Sequence, residues 1–310
     1  MSIRVFIDGA AGTTGLEIRD RLKDRPEIEI LLLDEALRKN SVKRREALNA
    51  ADFVILCLPD DAAREAVALI ESPSVRVIDA STAHRTGDGW VYGFAELEPA
   101  QSAAIAAASR VTNPGCYPTG FLALVRPLVR AGLIPVDFPL SVNATSGYSG
   151  GGRSMIEEFE SGKAKTVFRP YGLGLAHKHV PEMLKHAKIE HPPIFEPAVA
   201  NTYRGMIVEV PLPLHALPRR PSLAAITTAL RDAYKDSPVV QVLDVEGTEM
   251  LTIEELAGTD RMNLRVFGNA ERGQARLVAT LDNLGKGASG AAVQNLNIMA
   301  GLDPVAGLVL

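Results

Sequence analysis

A cysteine in the stretch VTNPGCYPTG, residues 111–120, is the residue best placed to act as a nucleophile. Cys116 follows a Pro-Gly pair and precedes YPTGFLALVRPLVRAG. We predict that this segment is a helix, because Leu122, Val125 and Val129 form an apolar stripe. The positive end of a helix dipole and its unbonded N–H groups favour a thiolate over a thiol. The position therefore predicts a reactive sulfur at Cys116.

Two prolines and a second cysteine bear on this prediction. Pro118 suits the first turn of the helix, whereas Pro127 lies inside the apolar stripe and predicts a kink or an early end. The alternative role for Cys116 is that of a small residue that fills a turn. Structural cysteines usually lie in apolar runs such as DFVILCLPD, and we predict that Cys57 in that run is core filler.

A histidine pair offers the proton partner that a thiol nucleophile needs. The stretch AHKHVPEML contains His177 and His179, and Glu182 follows three residues after His179. Glu182 is able to orient His179 and favour its protonated form, which suits an acid/base that serves a tetrahedral oxygen. We also assign Glu182 to substrate binding. The same residues would also fit a surface His/Glu pair at the start of a helix. A zinc site needs a further ligand cluster, and because the sequence shows none we predict no metal.

A Ser/Gly-rich stretch between these two motifs has the composition of an anion site. NATSGYSGGGRSM offers hydroxyls, backbone N–H groups open to close approach and a cation, which together suit a phosphate or a carboxylate. The residues that we assign to substrate binding in this stretch are Ser146, Gly147, Ser149 and Arg153. As an isolated string, the stretch is equally consistent with a flexible loop.

A glycine-rich turn near the beginning of the chain predicts a dinucleotide site. The β-branched run IRVFID meets GAAGTTG and then the amphipathic LEIRDRLKDRPEIE, which is the order strand, turn, helix. Such a turn presents backbone N–H groups and the positive helix end to a pyrophosphate. The residues assigned to the cofactor are Gly9, Gly12, Thr13, Thr14 and Gly15. Ala10 replaces the first glycine of the usual G-x-G-x-x-G spacing, and a tight turn without a ligand is the alternative.

The residues after the second strand leave the choice of nucleotide open. Asp34 lies where an acid would hold a ribose 2′-hydroxyl and favour NAD. Cations suited to a 2′-phosphate follow it, namely Arg38, Lys39, Lys43, Arg44 and Arg45. We assign Arg38 to the cofactor. A solvated loop or helix face would explain the same charge run.

Two kinds of strand pattern predict the architecture that must position these residues. ILLLDE, ADFVILCLP and VRVIDAST are short apolar runs separated in part by helical stretches, as in a parallel sheet that is covered on both faces. After about residue 140, GMIVEVPLPL, RMNLRVFGN and QARLVATLDN alternate apolar and polar residues. The fold class predicted is α/β, with a Rossmann-type parallel sheet first and an α+β part with a mostly antiparallel sheet second.

Two further helices are predicted in the second half of the chain. SLAAITTALRDAY has Leu223, Ile226 and Leu230 at helical spacing behind Ser222, a suitable N-cap. KGASGAAVQNLNIMAG has Ala292, Leu296 and Met299 on one face. A helix at this end of a chain commonly returns to pack on the first domain.

The composition excludes several classes of protein. The 310 residues suggest two domains, and a net charge of −4 without a basic block argues against nucleic acid or an anionic membrane as partner. Two cysteines cannot build a disulfide framework, and neither a signal peptide nor a membrane span is evident. We expect a cytoplasmic protein whose partner is a small molecule.

Four segments together resemble a known enzyme family. NPGCYPTG, SGYSGGGR, HKHVPE and DNLGKGASGAAVQNLN occur in this order in N-acetyl-γ-glutamyl-phosphate reductases. These are the arginine-pathway members of the aspartate-semialdehyde dehydrogenase superfamily. The resemblance spans nearly the whole chain and is to the shorter, type 2 group.

The resemblance implies a fold and a reaction. It implies a glyceraldehyde-3-phosphate dehydrogenase-like fold with an NADP-binding Rossmann domain at 1–115 and 286–310, completed by the C-terminal helix. A catalytic, substrate-binding and oligomerisation domain would occupy 116–285, in a homo-dimer or homo-tetramer. The reaction implied is the NADPH-dependent reductive dephosphorylation of N-acetyl-γ-glutamyl phosphate through a cysteine thioester.

The resemblance also implies residue roles. Cys116 would be the nucleophile and His179 the acid/base, while Asn283 in DNLGKG would lie near the nicotinamide. Arg85 in STAHRT and Arg153 would bind anions of the substrate. The nearest enzymatic rival is aspartate-semialdehyde dehydrogenase, which runs the same chemistry on β-aspartyl phosphate. A non-catalytic dinucleotide sensor is the rival from another class, but it gives no reason for a turn thiol together with His179.

Overall fold

The chain folds into two compact units in a computed structural model that describes residues 2–33, 37 and 40–310. The first unit comprises Met1–Pro114 and Ala288–Leu308, and the second comprises Gly115–Gly287 with Val309–Leu310. Asp34 and Arg38, on which the nucleotide predictions depend, lie outside the described residues, as does Lys39.

Numbered in chain order, the described strands are β1 (Ile3–Asp8), β2 (Ile28–Leu31), β3 (Phe53–Leu56), β4 (Arg76–Asp79), β5 (Val91–Tyr92), β6 (Arg110–Thr112), β7 (Ser141–Gly147), β8 (Phe168–Pro170), β9 (Ile194–Ala200), β10 (Met206–Pro213), β11 (Val240–Val242), β12 (Met262–Asn269) and β13 (Gln274–Leu281). The helices are α1 (Thr13–Leu22), α2 (Ser41–Ala50), α3 (Asp60–Leu69), α4 (Gln101–Ala107), α5 (Cys116–Arg130), α6 (Gly152–Glu160), α7 (Val180–Ala187), α8 (Leu223–Tyr234) and α9 (Gly290–Ala300). In the described part of the chain, no helix is long and apolar enough to cross a membrane.

The first unit is built on a parallel sheet. Its described strands form one six-stranded sheet in the order β2-β1-β3-β4-β6-β5, and every neighbouring pair is parallel. All four residues of β3 are buried, as expected of a strand covered on both faces. The parallel sheet predicted from the apolar runs is therefore confirmed.

The helix α9 belongs to the core of this unit. Its stripe of Ala292, Leu296 and Met299 is buried in one apolar cluster with Val5 of β1 and Ile55 of β3. Packing of this kind explains why a helix far along the chain folds with the first sheet, because the sheet buries an apolar stripe that would otherwise face water.

The second unit, whose residues are all described, contains a mixed sheet of seven strands in the order β11-β12-β13-β10-β7-β9-β8. Four neighbouring pairs are antiparallel, whereas β11 with β12 and β7 with β9 are parallel. Helix α5 lies against β10, where a Cβ on Gly120 would come within 2.7 Å of Val208 Cγ2. The mostly antiparallel sheet of the predicted fold class is confirmed.

Helix α5 runs past Pro127 to Arg130, so of the two predicted outcomes, a kink or an early end, the early end is wrong. A proline has no N–H, so the carbonyl of Ala123, four residues earlier, loses its usual donor. The Tyr234 hydroxyl of α8 donates to that carbonyl at 2.9 Å. A partner from another helix therefore satisfies the group that the proline leaves unbonded. Helix α8 itself begins as predicted, since Ser222 Oγ accepts the N–H of Ala225.

The chain's last two residues fold with the second unit. The N–H of Val309 donates to Oδ2 of Asp260 at 2.9 Å. The N–H of Asp260 donates to the carbonyl of Val309 at 2.7 Å. The expectation that residues 286–310 all belong to the nucleotide domain did not include this pairing. The role of 1–115 and 286–310 in nucleotide binding, and that of 116–285 in catalysis and oligomerisation, stay predictions.

Candidate active site

At two positions of the glycine turn in the first unit, a side chain would clash with the backbone. Gly9 has a φ of +91°, and a Cβ there would come within 2.3 Å of the Cys57 carbonyl oxygen. A Cβ on Gly15 would come within 2.5 Å of the Gly9 carbonyl oxygen. Gly12 is the extended N-cap residue of α1, and Thr13 and Thr14 are the first residues of the helix. Their N–H groups lack partners within the helix, so the turn has the geometry of a phosphate cradle.

A cavity of about 380 Å³ lies beside this turn. It opens at the carboxyl ends of β1 and β2, where open parallel sheets bind ligands. Asp8, Gly9, Ser41 and Arg44 are among its lining residues. The steric need for glycine and the adjoining cavity together fit a bound dinucleotide, whose pyrophosphate would lie on the N–H groups of the turn.

The described members of the charge run are all ion-paired. Arg44 Nε lies 2.6 Å from Asp8 Oδ2. Burial raises the pKa of Asp8, and the hydrogen bond from Arg44 partly offsets that rise. Two further pairs are Lys43 with Glu46 at 2.7 Å and Arg45 with Glu71. Each of these side chains therefore has a carboxylate partner within the protein.

In the second unit, Cys116 is the first residue of α5. Gly115 is its N-cap residue in an extended conformation, and the Gly115 carbonyl accepts bonds from the N–H and the hydroxyl of Thr119 at 2.9 and 2.8 Å. The thiol therefore lies at the positive end of a fifteen-residue helix, where a negative charge is stabilised. The predicted helix start at Cys116 is confirmed.

Glu182 holds the backbone that leads into the thiol. Its side chain is 1% exposed, and Oε1 accepts the N–H of Gly115 at 2.8 Å. We predicted a substrate-binding residue that also orients His179. Its burial and its bond to a backbone amide give the carboxylate a partner within the protein, and the substrate-binding role stays a prediction. Glu182 connects α7 to the first turn of α5.

His179 lies at the N-terminus of the same helix, α7, and is buried. Its ring contacts that of Tyr117, the residue after Cys116, with 5.9 Å between the centroids. The backbone N–H of His179 donates to Nδ1 of His177 at 3.1 Å. Burial and the charge of Lys178 lower the pKa of His177, which favours the neutral ring that the acceptor role of Nδ1 requires. The imidazole of His179 is thus fixed beside the thiol turn.

Two tyrosines that the sequence motifs did not indicate complete this cluster. The Tyr171 hydroxyl donates to that of Tyr117 at 3.1 Å, and the Tyr117 hydroxyl donates to the Ala198 carbonyl at 3.2 Å. Burial raises the pKa of Tyr117 well above its usual value and that of Tyr171 to about 12, and the charge of Cys116 adds to both shifts. Both hydroxyls therefore stay protonated and close to the sulfur. The only sequence signal was that Tyr117 adjoins Cys116.

The Ser/Gly loop, residues 146–152, comprises the end of β7, the 3₁₀ turn Tyr148–Gly151 and the first residue of α6. Ser146 and Ser149 are buried, and a Cβ on Gly147 would come within 2.8 Å of the Thr202 and Tyr203 carbonyl oxygens. Asn283 accepts the N–H of Gly205 and donates to Ser149 Oγ, both at 2.9 Å. These contacts tie the stretch to the rest of the second unit. Asn283 was predicted to lie near a nicotinamide. Its amide oxygen is bonded to the backbone of Gly205, and its amide nitrogen is bonded to the Ser149 hydroxyl.

Two predicted anion-binding arginines have other environments. The Arg153 side chain is 81% exposed on α6 and pairs with Glu157 at 3.0 Å, so the structure does not bring it into the buried cluster. Arg85, in the first unit, is buried and donates to the carbonyls of Asn113 and Ala80 at 3.0 and 3.1 Å. Its described hydrogen bonds hold the ends of β4 and β6. Each guanidinium thus has a protein partner, and the assignment of Arg85 and Arg153 to substrate anions stays a prediction.

Gly287 is a further residue that sequence reasoning missed. A Cβ at this position would lie 2.9 Å from Cys116 Cβ and 3.0 Å from the Asp282 carbonyl oxygen. It belongs to the π-helical turn Gly285–Ser289, a feature that is frequent at functional sites. Among the residues that the structure describes, no group of three or more His, Cys, Asp or Glu is arranged to hold a metal ion.

Comparison with known proteins identifies the family. Residues 4–105 match the model described as the NAD binding domain of semialdehyde dehydrogenase, and residues 116–283 match its dimerisation domain. A curated relative from Chelativorans sp. (strain BNC1), named N-acetyl-gamma-glutamyl-phosphate reductase, is 52% identical over 96% of this chain and 98% of its own. The chain belongs to the N-acetyl-γ-glutamyl-phosphate reductase family. The resemblance carried by the four segments is confirmed.

Solved structures support the fold of this reductase family member. Aspartate semialdehyde dehydrogenase II from Vibrio cholerae, complexed with ASA, superposes with a TM-score of 0.72 at 16% identity, covering 97% of this chain and 99% of that one. Aspartate semialdehyde dehydrogenase with NADP from Candida albicans gives 0.66 at 14% identity, with coverage of 97% and 99%. At these identities the likeness concerns the fold alone.

Proposed function

We propose that this chain catalyses the NADPH-dependent reductive dephosphorylation of N-acetyl-γ-glutamyl phosphate to N-acetylglutamate semialdehyde, a step of arginine biosynthesis. The observation that carries the proposal is the thiol turn, in which the Gly115 N–H bonds Glu182 at 2.8 Å and so ties the start of α5 to the helix that follows His179. Support comes from the relative named for this activity, which is 52% identical along nearly the whole chain.

Cys116 acts as the nucleophile. Its thiolate attacks the acyl carbon, a C–S bond forms, and the C–O bond to the phosphate group breaks. Inorganic phosphate leaves with the bonding electrons, and a thioester remains on Cys116. The N-terminus of α5 stabilises both the thiolate and the oxygen anion of the tetrahedral intermediate. Sulfur donates less electron density to a carbonyl than oxygen does, so the thioester is open to reduction.

The glycine turn of the first unit holds the dinucleotide. Gly9 and Gly15 allow the backbone to approach the pyrophosphate, and the N-terminus of α1 stabilises its charge. Bound NADPH supplies the hydride that reduces the thioester. The choice of NADP(H) is supported by the match of residues 4–105 to an NAD binding domain and by the protein of the same fold from Candida albicans, which is described with NADP.

His179 handles the proton. It donates to the alkoxide oxygen that reduction leaves on the former acyl carbon, which gives a thiohemiacetal. It then accepts that proton back as the C–S bond breaks, releasing the aldehyde and restoring the Cys116 thiolate. The Tyr117 ring packs against the imidazole, and the bond from the backbone N–H of His179 to His177 holds the main chain at this position.

Variants of Glu182 test how the thiol turn is held. Glu182→Gln keeps an oxygen that accepts the Gly115 N–H, whereas Glu182→Ala leaves this buried amide without it. We expect kcat of the glutamine variant to stay within about tenfold of the parent, and kcat of the alanine variant to fall about 100-fold. The alanine variant should also lose about 1–3 kcal/mol of unfolding free energy. Steady-state kinetics and chemical denaturation measure both effects. Equal loss of kcat in the two variants would mean that the charge, and not the hydrogen bond, is what matters.

The reverse reaction tests the proposed function directly. Purified protein is mixed with N-acetylglutamate semialdehyde, phosphate and NADP⁺, and the absorbance of the reduced nicotinamide is followed. We expect turnover that requires all three components and prefers this aldehyde to aspartate semialdehyde. Preference for aspartate semialdehyde, or no turnover, would contradict the assignment.

We also propose a homo-dimer or homo-tetramer in the cytoplasm. The second unit matches a family model described as a dimerisation domain, and a reducing compartment suits a chain with two cysteines and a thiolate mechanism. Light scattering after size-exclusion chromatography gives the mass in solution. A monomer at micromolar concentration would contradict the oligomer.

A further inference from the structure

A buried carboxylate lies at the end of β13, shortly before the turn that contacts the thiol. Asp282 follows β13 directly and is fully buried. Its Oδ1 accepts the N–H of Leu284 at 2.8 Å, and its Oδ2 accepts the N–H of Gly258 at 2.5 Å. Arg204 balances the charge, with its Nε 2.9 Å from Oδ2. The proposed mechanism does not use this carboxylate, although a buried charge is costly to retain.

Asp282 shapes the turn that follows it. Its carbonyl accepts the N–H of Gly287 at 2.9 Å, which is the i to i+5 bond of a π-helix. The bond from Leu284 to Oδ1 fixes the first residues of the same turn. Gly285 packs against a neighbouring segment, where a Cβ would clash with the Thr259 carbonyl oxygen. Asp282 therefore holds both ends of the turn, one through its side chain and the other through its carbonyl.

Gly287, at the far end of this turn, contacts the nucleophile itself. A Cβ on Gly287 would lie 2.9 Å from Cys116 Cβ and 3.4 Å from Cys116 Cα. Carbon atoms in a packed interior do not come that close, so a larger residue would fit only if Cys116 moved. The turn is therefore the wall against which the first residue of α5 is packed.

We infer that Asp282 is a positioning residue for Cys116 and acts through the turn that ends at Gly287. The inference rests on the proposed function in that Cys116 is its nucleophile. Glu182 holds the N–H of Gly115 just before the thiol, and the turn held by Asp282 packs on Cys116 itself. Position matters because the favourable field of a helix end falls off within one turn. A displacement of about 1 Å can also lower the rate of attack by about 100-fold.

Paired variants separate this role from general stabilisation. Removing the carboxylate alone would leave Arg204 as an uncompensated charge, so each change at Asp282 is combined with Arg204→Met. Asp282→Asn keeps an oxygen that accepts the Leu284 N–H, whereas Asp282→Ala keeps none. Both double variants lose the ion pair, and they differ in the bond that shapes the turn.

The first measurement is the rate constant for alkylation of Cys116 by iodoacetamide, which needs neither substrate nor turnover. We expect the alanine double variant to react about tenfold more slowly than the parent, and the asparagine double variant to stay within about threefold. In the reverse reaction, kcat should fall about 100-fold in the alanine double variant and less than about tenfold in the asparagine one. A parent without turnover whose alkylation still depends on Asp282 in this way would contradict the proposed function and support the positioning role.

Gly287→Ala tests the contact with Cys116 directly and does not depend on the folding of the double variants. Its methyl group must displace Cys116, so we expect alkylation about tenfold slower and kcat about 100-fold lower. Gly268→Ala is the matched control, because a Cβ there would come within 2.5 Å of Leu223 Cδ2 in the same unit. It should keep the alkylation rate within about twofold of the parent. Alkylation at the parental rate or faster in both Gly287→Ala and the alanine double variant would overturn the inference.

Discussion

Serine in place of Cys116 is expected to lower reductive turnover by about 10⁴-fold or more. A serine hydroxyl is not ionised near neutral pH, so the field of α5 has no anion to stabilise. An oxygen ester would also be a poorer acceptor of hydride than a thioester. NADPH affinity, measured by fluorescence titration, should stay within about twofold because the glycine turn is untouched. If the variant kept near-parental turnover, the mechanism through a thioester on Cys116 would be wrong.

The second cysteine provides the control for this variant. Burial raises the pKa of the Cys57 thiol to about 12, and the carboxylates of Asp79 and Asp8 add to the shift. At pH 8 only about one Cys57 in 10⁴ is then a thiolate, the form that reacts. Iodoacetamide should therefore label the parent at Cys116 and leave the Cys116→Ser variant unlabelled. Cys57→Ser should keep both the labelling and the turnover.

Asparagine in place of His179 is expected to lower kcat by about 10²- to 10⁴-fold, the usual contribution of a general acid/base. Asparagine fills much of the same space but cannot exchange a proton near neutral pH. Because the thiolate is stabilised by the helix, acylation of Cys116 should survive, so a rapid burst of phosphate release should precede slow turnover. His191→Asn, an exposed position in the same unit, is the matched control.

The pH dependence separates this role from a loss of packing. The parent should show a limb in its pH–rate profile that belongs to the acid/base, and His179→Asn should lack it. A profile with the parent's shape, merely lower at every pH, would contradict the acid/base role. Loss of the phosphate burst would instead place His179 in the acylation step.

Local patterns predicted the elements well because their causes lie close together in the chain. The four-residue apolar run of β3 is a buried parallel strand, and Ser222 caps α8 through an N–H three residues away. The start of α5 at Cys116 depends on the residues around it in the same way. These features could be predicted without any knowledge of distant contacts.

The features that were missed depend on partners remote in the chain. Helix α5 passes through Pro127 because Tyr234, 111 residues beyond Ala123, bonds the carbonyl that the proline leaves. Glu182 holds Gly115 across a separation of 67 residues. Proximity in sequence made Arg153 the expected cation of the Ser/Gly loop, whereas strand pairing brings Arg204 against that loop. The pairing of β7 with β10 places Arg204 beside this loop, and no local sequence pattern specifies the register of that pairing.

A covalent adduct on Cys116 is the most direct measurement of the reaction path. Protein is mixed with N-acetyl-γ-glutamyl phosphate without NADPH, quenched in acid and analysed by peptide mass spectrometry. We predict one N-acetylglutamyl group on the peptide that contains Cys116, and its loss when NADPH is added before the quench. A protein that turns over normally but shows no adduct, or shows it on another residue, would contradict the mechanism.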